Sequence, residues 1–375
     1  MHPKLEDEPQ PSASTRRPLG RARSQLGMPR PERTSVRGPV VSIRGVGAYF
    51  PPTELSTDEL IRAERPGTLF GKKLQELIGC RSIRAAGPSD SSSGLAVLAA
   101  RGALESAGLS ASGLDAVVSV GCVMPDVDVW STPAKIAKEL GATPRECFGI
   151  GDAACAGSYA AVRALLPLMT APRGPERVLL AAGAVMPGGR FFPPATVFGD
   201  GAGAWVLERH DPARRVPRFA IVAAELRSFP EHVDAFGPMA GMNILRAEGR
   251  LEPRWWTFGI RDHAAFTQLR RVNFDLGAET ILETLDHVGW DPSSLTWLVP
   301  DNVTFRVGEE LSMRIGLPFD RVFKEGCERF GHAFSADMFA NLARLLESRE
   351  VRTGDRIGLV GMGIGQHWGV VLIEV

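Results

Sequence analysis

The chain has no net charge, no Cys-x-x-Cys pair and no apolar run of membrane-spanning length, and each absence argues against a class of function. Lys and Arg number 43 and so do Asp and Glu, so no global field draws the chain to nucleic acid or to an anionic membrane surface. Cys80, Cys122, Cys147, Cys155 and Cys327 are odd in number and show no paired spacing. That argues against a disulfide framework and a zinc site, and predicts a reducing, cytoplasmic compartment with no metal. Without a spanning segment the chain is expected to be soluble. What it does have is length and apolar content: 375 residues, 44% of them hydrophobic, enough for one large or two medium domains.

Residues 1–40 differ from the rest. They are rich in Pro, Ser and Arg and poor in core-forming residues, and such a segment cannot offset its ordering entropy. A disordered extension is expected. Glu6, Asp7 and Glu8 sit badly with a targeting peptide, and no apolar h-region follows. Translation from Met28 would remove most of this segment.

From Val41 onward strand-like runs alternate with amphipathic helices, and the pattern recurs. LDAVVSVGCVMPD is echoed by LTWLVPDNVTF, CAGSYAAVRALL by HAFSADMFANLARLL, and RVLLAAGA by RIGLVGMGIG. The offset of about 175 residues is too long for a solenoid repeat and predicts a duplicated domain half. The halves are expected at 41–212 and 213–375. Cys155 and His332 hold equivalent helix-start positions, so two halves packed about a pseudo-twofold axis would bring both to one pocket.

Cys155 lies where a small-residue strand feeds an apolar helix, in GDAACAGSYAAVRALL. A cysteine on a first helical turn faces unpaired N–H groups and the positive end of the dipole, which favour thiolate. Ala153, Ala154, Ala156 and Gly157 would let a carbonyl approach the sulfur. Taken alone, the position suits a buried structural cysteine equally well.

Five motifs in order narrow the choice: DAACAGS, FGDGAGAWVLE at 198–208, LVPDNVTFR at 298–306, FGHAFSAD at 330–337 and GMGIGQHWG at 361–369. With them the chain resembles the thiolase-fold condensing enzymes, most closely the ketoacyl-acyl-carrier-protein synthase III family. The resemblance implies an α/β, thiolase-like duplicated five-layer αβαβα fold and a homodimer. It also implies acyl transfer from coenzyme A or acyl carrier protein through a cysteine thioester, with no bound cofactor.

Two positions depart from the family pattern. The motif that normally reads P-H-Q-A-N is Pro300-Asp301-Asn302-Val303-Thr304, and the one that normally reads G-N is Gly331-His332. In the standard enzymes that His and Asn donate hydrogen bonds to the enolate formed as a malonyl thioester loses CO2. An ionised Asp301 cannot donate and would repel that enolate. A nucleophile, an imidazole and a carboxylate instead suit acyl transfer: His332 deprotonates Cys155 and then the acceptor, and Asp301 orients the ring. The exchange resembles an ester-forming branch of the family that acylates hydroxyls in secondary metabolism. Two readings compete: a decarboxylating synthase III, and a non-catalytic partner subunit of a synthase.

The family's turn in GMGIGQHWG points a backbone N–H at the thioester oxygen, which assigns the oxyanion hole to the amides of Cys155 and Ile364. Gly199-Asp200-Gly201-Ala202-Gly203 lacks a P-loop lysine and predicts close backbone packing beside the pocket. His367 is expected to be structural, and His232, His263 and His287 match no catalytic position. Trp255 and Trp256 are expected to line or cap the pocket. The family's coenzyme A-stacking tryptophan and neighbouring arginine are missing from KKLQELIG, before Gly79, which favours acyl carrier protein as donor. Arg306, with Arg314, would then form its docking patch, and a small-molecule hydroxyl would be the acceptor.

Overall fold

The computed structural model describes residues 40–64, 76, 78–121, 126–127, 130–186, 188–192, 196–211, 217–238 and 258–375. Residues 1–39 of the expected extension, the 212/213 boundary, Cys122, Trp255, Trp256 and five of the eight residues of KKLQELIG lie outside them.

A nine-stranded mixed sheet organises the chain. Its order from one edge is Trp297–Pro300, Arg356–Gly363, His367–Glu374 and Ala220–Ser228, then Val40–Tyr49, Gly201–His210, Arg177–Ala184, Ala116–Val120 and Glu146–Ile150. The seam between the two groups is narrow. Ser42 pairs with Ala220, and Ile43 N donates to Phe219 O at 3.0 Å. On either side of the seam the order is mirrored: an antiparallel entry strand, a hairpin-like partner, then strands in parallel. The echoed segments LDAVVSVG and LTWLVPD occupy matching places, as do RVLLAAGA and RIGLVGMG. That is the arrangement a duplication produces.

Helices cover both groups in layers. Ser92–Ala107 and Thr132–Leu140 pack outside the first group, and His263–Val288 and Phe305–Ile315 outside the second. Gly157–Thr170 and Ala336–Ser348 lie between the groups and touch strands of both. The five-layer order implied by the resemblance is therefore present. Local sequence explains the helix ends. Ser91 Oγ caps Gly94 N at 3.1 Å and Gly108 closes the same helix at φ 59°. The central helices bury most of their residues because strands of both groups pack on them, while Arg163, Ala164, Pro167 and Leu168 of the first and Glu347 of the second stay exposed. Trp205 and Phe339, both fully buried, meet edge-on at 5.0 Å in that middle layer. Among the described residues no helix is long and apolar enough to cross a membrane.

Candidate active site

The middle layer is where the two halves present their helix starts to each other. After the strand Glu146–Ile150 the backbone takes a cramped path, with Asp152 at φ 65° and Ala154 at φ 47°. Non-glycine residues in that region cost about 1–3 kcal/mol each and persist only where the surroundings dictate them. Cys155 follows in a single 3-10 turn, Ala154–Ala156, that runs straight into Gly157–Thr170. The thiol is buried. Two neighbours fix the turn: Ser335 Oγ donates to Ala154 O at 3.0 Å, and Gly363 lies so close that a Cβ there would stand 2.3 Å from Ala153 O.

His332 reaches the sulfur from the second half. Its backbone is bound to the first half, N donating to Val197 O at 2.8 Å and O accepting from Gly199 N at 3.1 Å. Its ring tilts against Phe198 and Phe334, which stack on each other at 4.8 Å. Nε2 stands 3.2 Å from Cys155 Sγ, and Nδ1 stands 2.6 Å from Asp337 Oδ2. Cys155 and His332, expected to converge, do so.

The carboxylate on His332 is Asp337 and not the expected Asp301. Asp337 occupies the first turn of Ala336–Ser348 and is almost wholly buried. Besides the imidazole it accepts from Ala333 N at 2.8 Å, Asn302 N at 2.7 Å and Asn302 Nδ2 at 3.3 Å. Asn341 braces this set, donating to Asn302 Oδ1 and Pro300 O, both at 2.9 Å.

Asp301 turns elsewhere for a physical reason. Its N donates to Val360 O at 2.9 Å, so its backbone still follows the parallel ladder between Trp297–Pro300 and Arg356–Gly363. Its side chain runs over Gly361, where a Cβ would stand 1.8 Å from Oδ2, and accepts from Tyr159 Oη at 2.9 Å. The Tyr159 ring lies in the space left by Gly361 and Gly369, which pair across two strands. Burial, and then the charge of Asp301, hold the Tyr159 phenol well above its ordinary range. Asp337 was present in the motif FGHAFSAD. The signal that marks it is a carboxylate at a helix start five residues after the imidazole.

The glycine-rich loop packs closely, as expected: a Cβ on Gly199 would stand 1.9 Å from Phe330 O. Asp200, fully buried, takes two bonds from the Arg190 guanidinium and one each from Ala86 N and Met186 N. Ile364 opens the three-residue turn between Gly363 and His367, which pair with each other. Gly365 and Gln366 both have positive φ there, 89° and 58°. His367 Nδ1 meets Ser228 Oγ at 2.8 Å, and burial holds the ring below its ordinary pKa of 6.5. His232 is buried, His263 opens the long outer helix and His287 closes it.

Arg314 departs from expectation. Its side chain is turned inward, bonded to Asp275 at 2.6 Å and to Glu310, and is only 11% exposed. Arg306 also binds Glu310, at 2.8 Å, yet keeps 38% of its side chain exposed. Burial would raise the Glu310 carboxyl, but the two guanidiniums outweigh it and hold the group below its usual range. Of the expected docking pair, only Arg306 faces solvent to any extent.

Four likenesses bear on this geometry. Residues 285–375 match the family model of the 3-oxoacyl-[acyl-carrier-protein] synthase III C terminal. Beta-ketoacyl-[acyl-carrier-protein] synthase III of Rhodospirillum centenum is 28% identical over 337 residues, covering 88% of this chain and 98% of that protein. The crystal structure of 3-oxoacyl-(acyl carrier protein) synthase III from Pseudomonas aeruginosa superimposes with a TM-score of 0.75 at 27% identity, covering 89% of this chain and 98% of that one. ChlB3, an acyltransferase, superimposes with a TM-score of 0.73 over 90% of this chain and 98% of its own. At 22% identity its likeness concerns the fold alone.

Proposed function

Because the chain is a thiolase-fold protein of ketoacyl-acyl-carrier-protein synthase III type, we propose that it moves an acyl group through a Cys155 thioester to a hydroxyl of a small metabolite. The observation that carries the reading is one imidazole, His332, bonded to Cys155 Sγ on one nitrogen and to Asp337 on the other. In the first half-reaction Cys155 Sγ attacks the donor thioester carbon while His332 accepts the thiol proton. The Cys155 and Ile364 amides are our candidates for the oxyanion donors. The carrier thiolate leaves and takes that proton. In the second, His332 removes the acceptor's O–H proton, the oxygen attacks the acyl carbon, and Cys155 leaves as thiolate. Asp337 fixes the ring tautomer and stabilises the imidazolium.

The relatives are named as condensing synthases, which keeps decarboxylative carbon–carbon condensation as the second reading. Two features weigh against it. Condensation needs two donors aimed at the enolate. Here the Asp301 carboxylate accepts from Tyr159, and one imidazole nitrogen is occupied by Asp337. A non-catalytic partner subunit has no need of a nucleophile and base in contact. Acyl carrier protein is the donor we favour, with a homodimer as the working form and no metal or bound cofactor in the reaction. ChlB3 shows that the same fold can carry an acyltransferase.

The test feeds carboxyl-labelled malonyl carrier protein and a panel of alcohols to the protein and weighs it intact. A mass gain that retains the label, vanishes in Cys155→Ala and is discharged by an alcohol is expected. Label released as CO2 together with a new carbon–carbon bond would instead establish the condensing enzyme.

A further inference from the structure

Asn273 lies midway along His263–Val288, outside every motif of the sequence, and its side chain gathers two donors from the far end of the sheet. Gln366 Nε2 stands 2.6 Å from Asn273 Oδ1, and Trp368 Nε1 stands 3.2 Å from the same oxygen. An indole N–H only donates, so the atom facing it must be the amide oxygen. That in turn requires Gln366 to present its NH2 group. Both bonds are therefore fixed in sense.

The bond matters because of the backbone it restrains. Gln366 is almost completely buried and holds φ 58° directly after Gly365 at 89°. A non-glycine residue keeps such a conformation only when its neighbours dictate it. Three contacts on the outer side do so. Gln366 is anchored to Asn273, its carbonyl accepts from Phe229 N at 2.8 Å, and the adjacent His367 is tied to Ser228. The inner side of the same turn begins at Gly363, pressed against Ala153 and the amide of Ala156 on either side of the nucleophile. Along the chain, Ile364 lies between Gly363 on the inner side and the anchored Gln366 on the outer.

We infer that Asn273 is a positioning residue for the oxyanion turn, holding Gln366 so that the Ile364 N–H is aimed at the thioester oxygen. This rests on the acyl-transfer reading above. Asn273 touches neither the sulfur nor the imidazole by any bond described, so its loss should slow the step that develops an oxyanion and spare a step that does not.

Two reactions of the same thiol separate these cases. Acylation of Cys155 by an acyl carrier thioester passes through a tetrahedral oxyanion. Alkylation by iodoacetamide displaces iodide at a saturated carbon and needs only a deprotonated, accessible sulfur. Both are followed at Cys155 by peptide-resolved mass spectrometry under single-turnover conditions, in the wild type, Asn273→Leu, Asn273→Asp and Gln366→Met. Asn273→Leu removes the acceptor at similar volume and is expected to slow acylation by about 10- to 100-fold, the range for a misaimed oxyanion donor. Its alkylation should stay at the wild-type rate. Asn273→Asp retains an acceptor oxygen and should recover most of the acylation rate. Gln366→Met breaks the same bond from its other end and carries the test if Asn273→Leu does not fold. Unchanged acylation in the leucine or methionine variant overturns the inference. So does alkylation that falls in step with acylation, since Asn273 would then support the whole site and not the turn. A wild-type protein that never acquires an acyl group on Cys155 refutes the acyl-transfer reading itself, a result in which the variants play no part.

Discussion

Asp337, on a middle-layer helix, and Asp301, at the end of a sheet strand, are both buried and differ in what they touch, which makes them a natural pair to compare by substitution. Asp337→Asn keeps the shape but offers an amide to His332 Nδ1. The imidazole is then free to settle in the tautomer that carries its proton toward Cys155. The corresponding change in a serine protease triad costs about 10⁴ in rate, and a loss of about 10³ or more in turnover is expected here. Asp301→Asn leaves an acceptor oxygen for the Tyr159 hydroxyl and should lower turnover by less than about tenfold, since only an outlying hydrogen bond is weakened. Steady-state rates of the two variants, with circular dichroism to verify folding, check the ranking. Equal losses would restore Asp301 to the triad.

At the scale of the element, the turn after Arg356–Gly363 couples pH to stability. Burial depresses the folded pKa of His367 below 6.5. Between that lowered value and 6.5 the unfolded chain binds more protons than the folded one. The contribution of His367 is therefore complete above 6.5 and is lost as pH falls through the folded value. Urea melts taken from about pH 7.5 down to about pH 5 should show stability declining with acid, and His367→Gln should flatten that slope. The elements also show what a linear reading can and cannot see. Strand and helix order, the repeat and the approach of His332 to Cys155 were legible because motif order and pseudo-symmetry fix where helix starts lie. The partner of His332 was not. Asp301 is steered toward Tyr159 by an open space at Gly361 and Gly369, and that space exists only once three separate segments meet. Arg314 was misjudged for the same reason: its inward partner Asp275 comes from another helix. Asp337 stood in the motif FGHAFSAD, but Asp301, at the family's histidine position, drew the assignment.

The whole molecule is held by helices that belong to both sheet groups at once. Gly157–Thr170 packs on strands of the second group and Ala336–Ser348 on strands of the first. The sheet seam itself is slight, one residue pair with a flanking hydrogen bond. Cohesion between the groups thus comes from the middle layer, whose apolar faces neither group can cover alone. Thermal or denaturant unfolding of residues 40–375 is expected to give one transition, with far-ultraviolet dichroism and tryptophan fluorescence coincident. Two separated transitions would mean that each group closes its own core.

The contact between His332 and Cys155 spans 177 positions of the chain. Synthesis proceeds from the N-terminus, so the sulfur is made long before the imidazole, and Asp337 comes later still. A ribosome that stalls anywhere in that interval releases a thiol with no base beside it. Refolding obeys the same ordering constraint: recovery of acyl loading cannot run ahead of the slowest step that joins the two groups of strands. The contact between the two side chains can therefore form only after the C-terminal group of strands has found its place against the first.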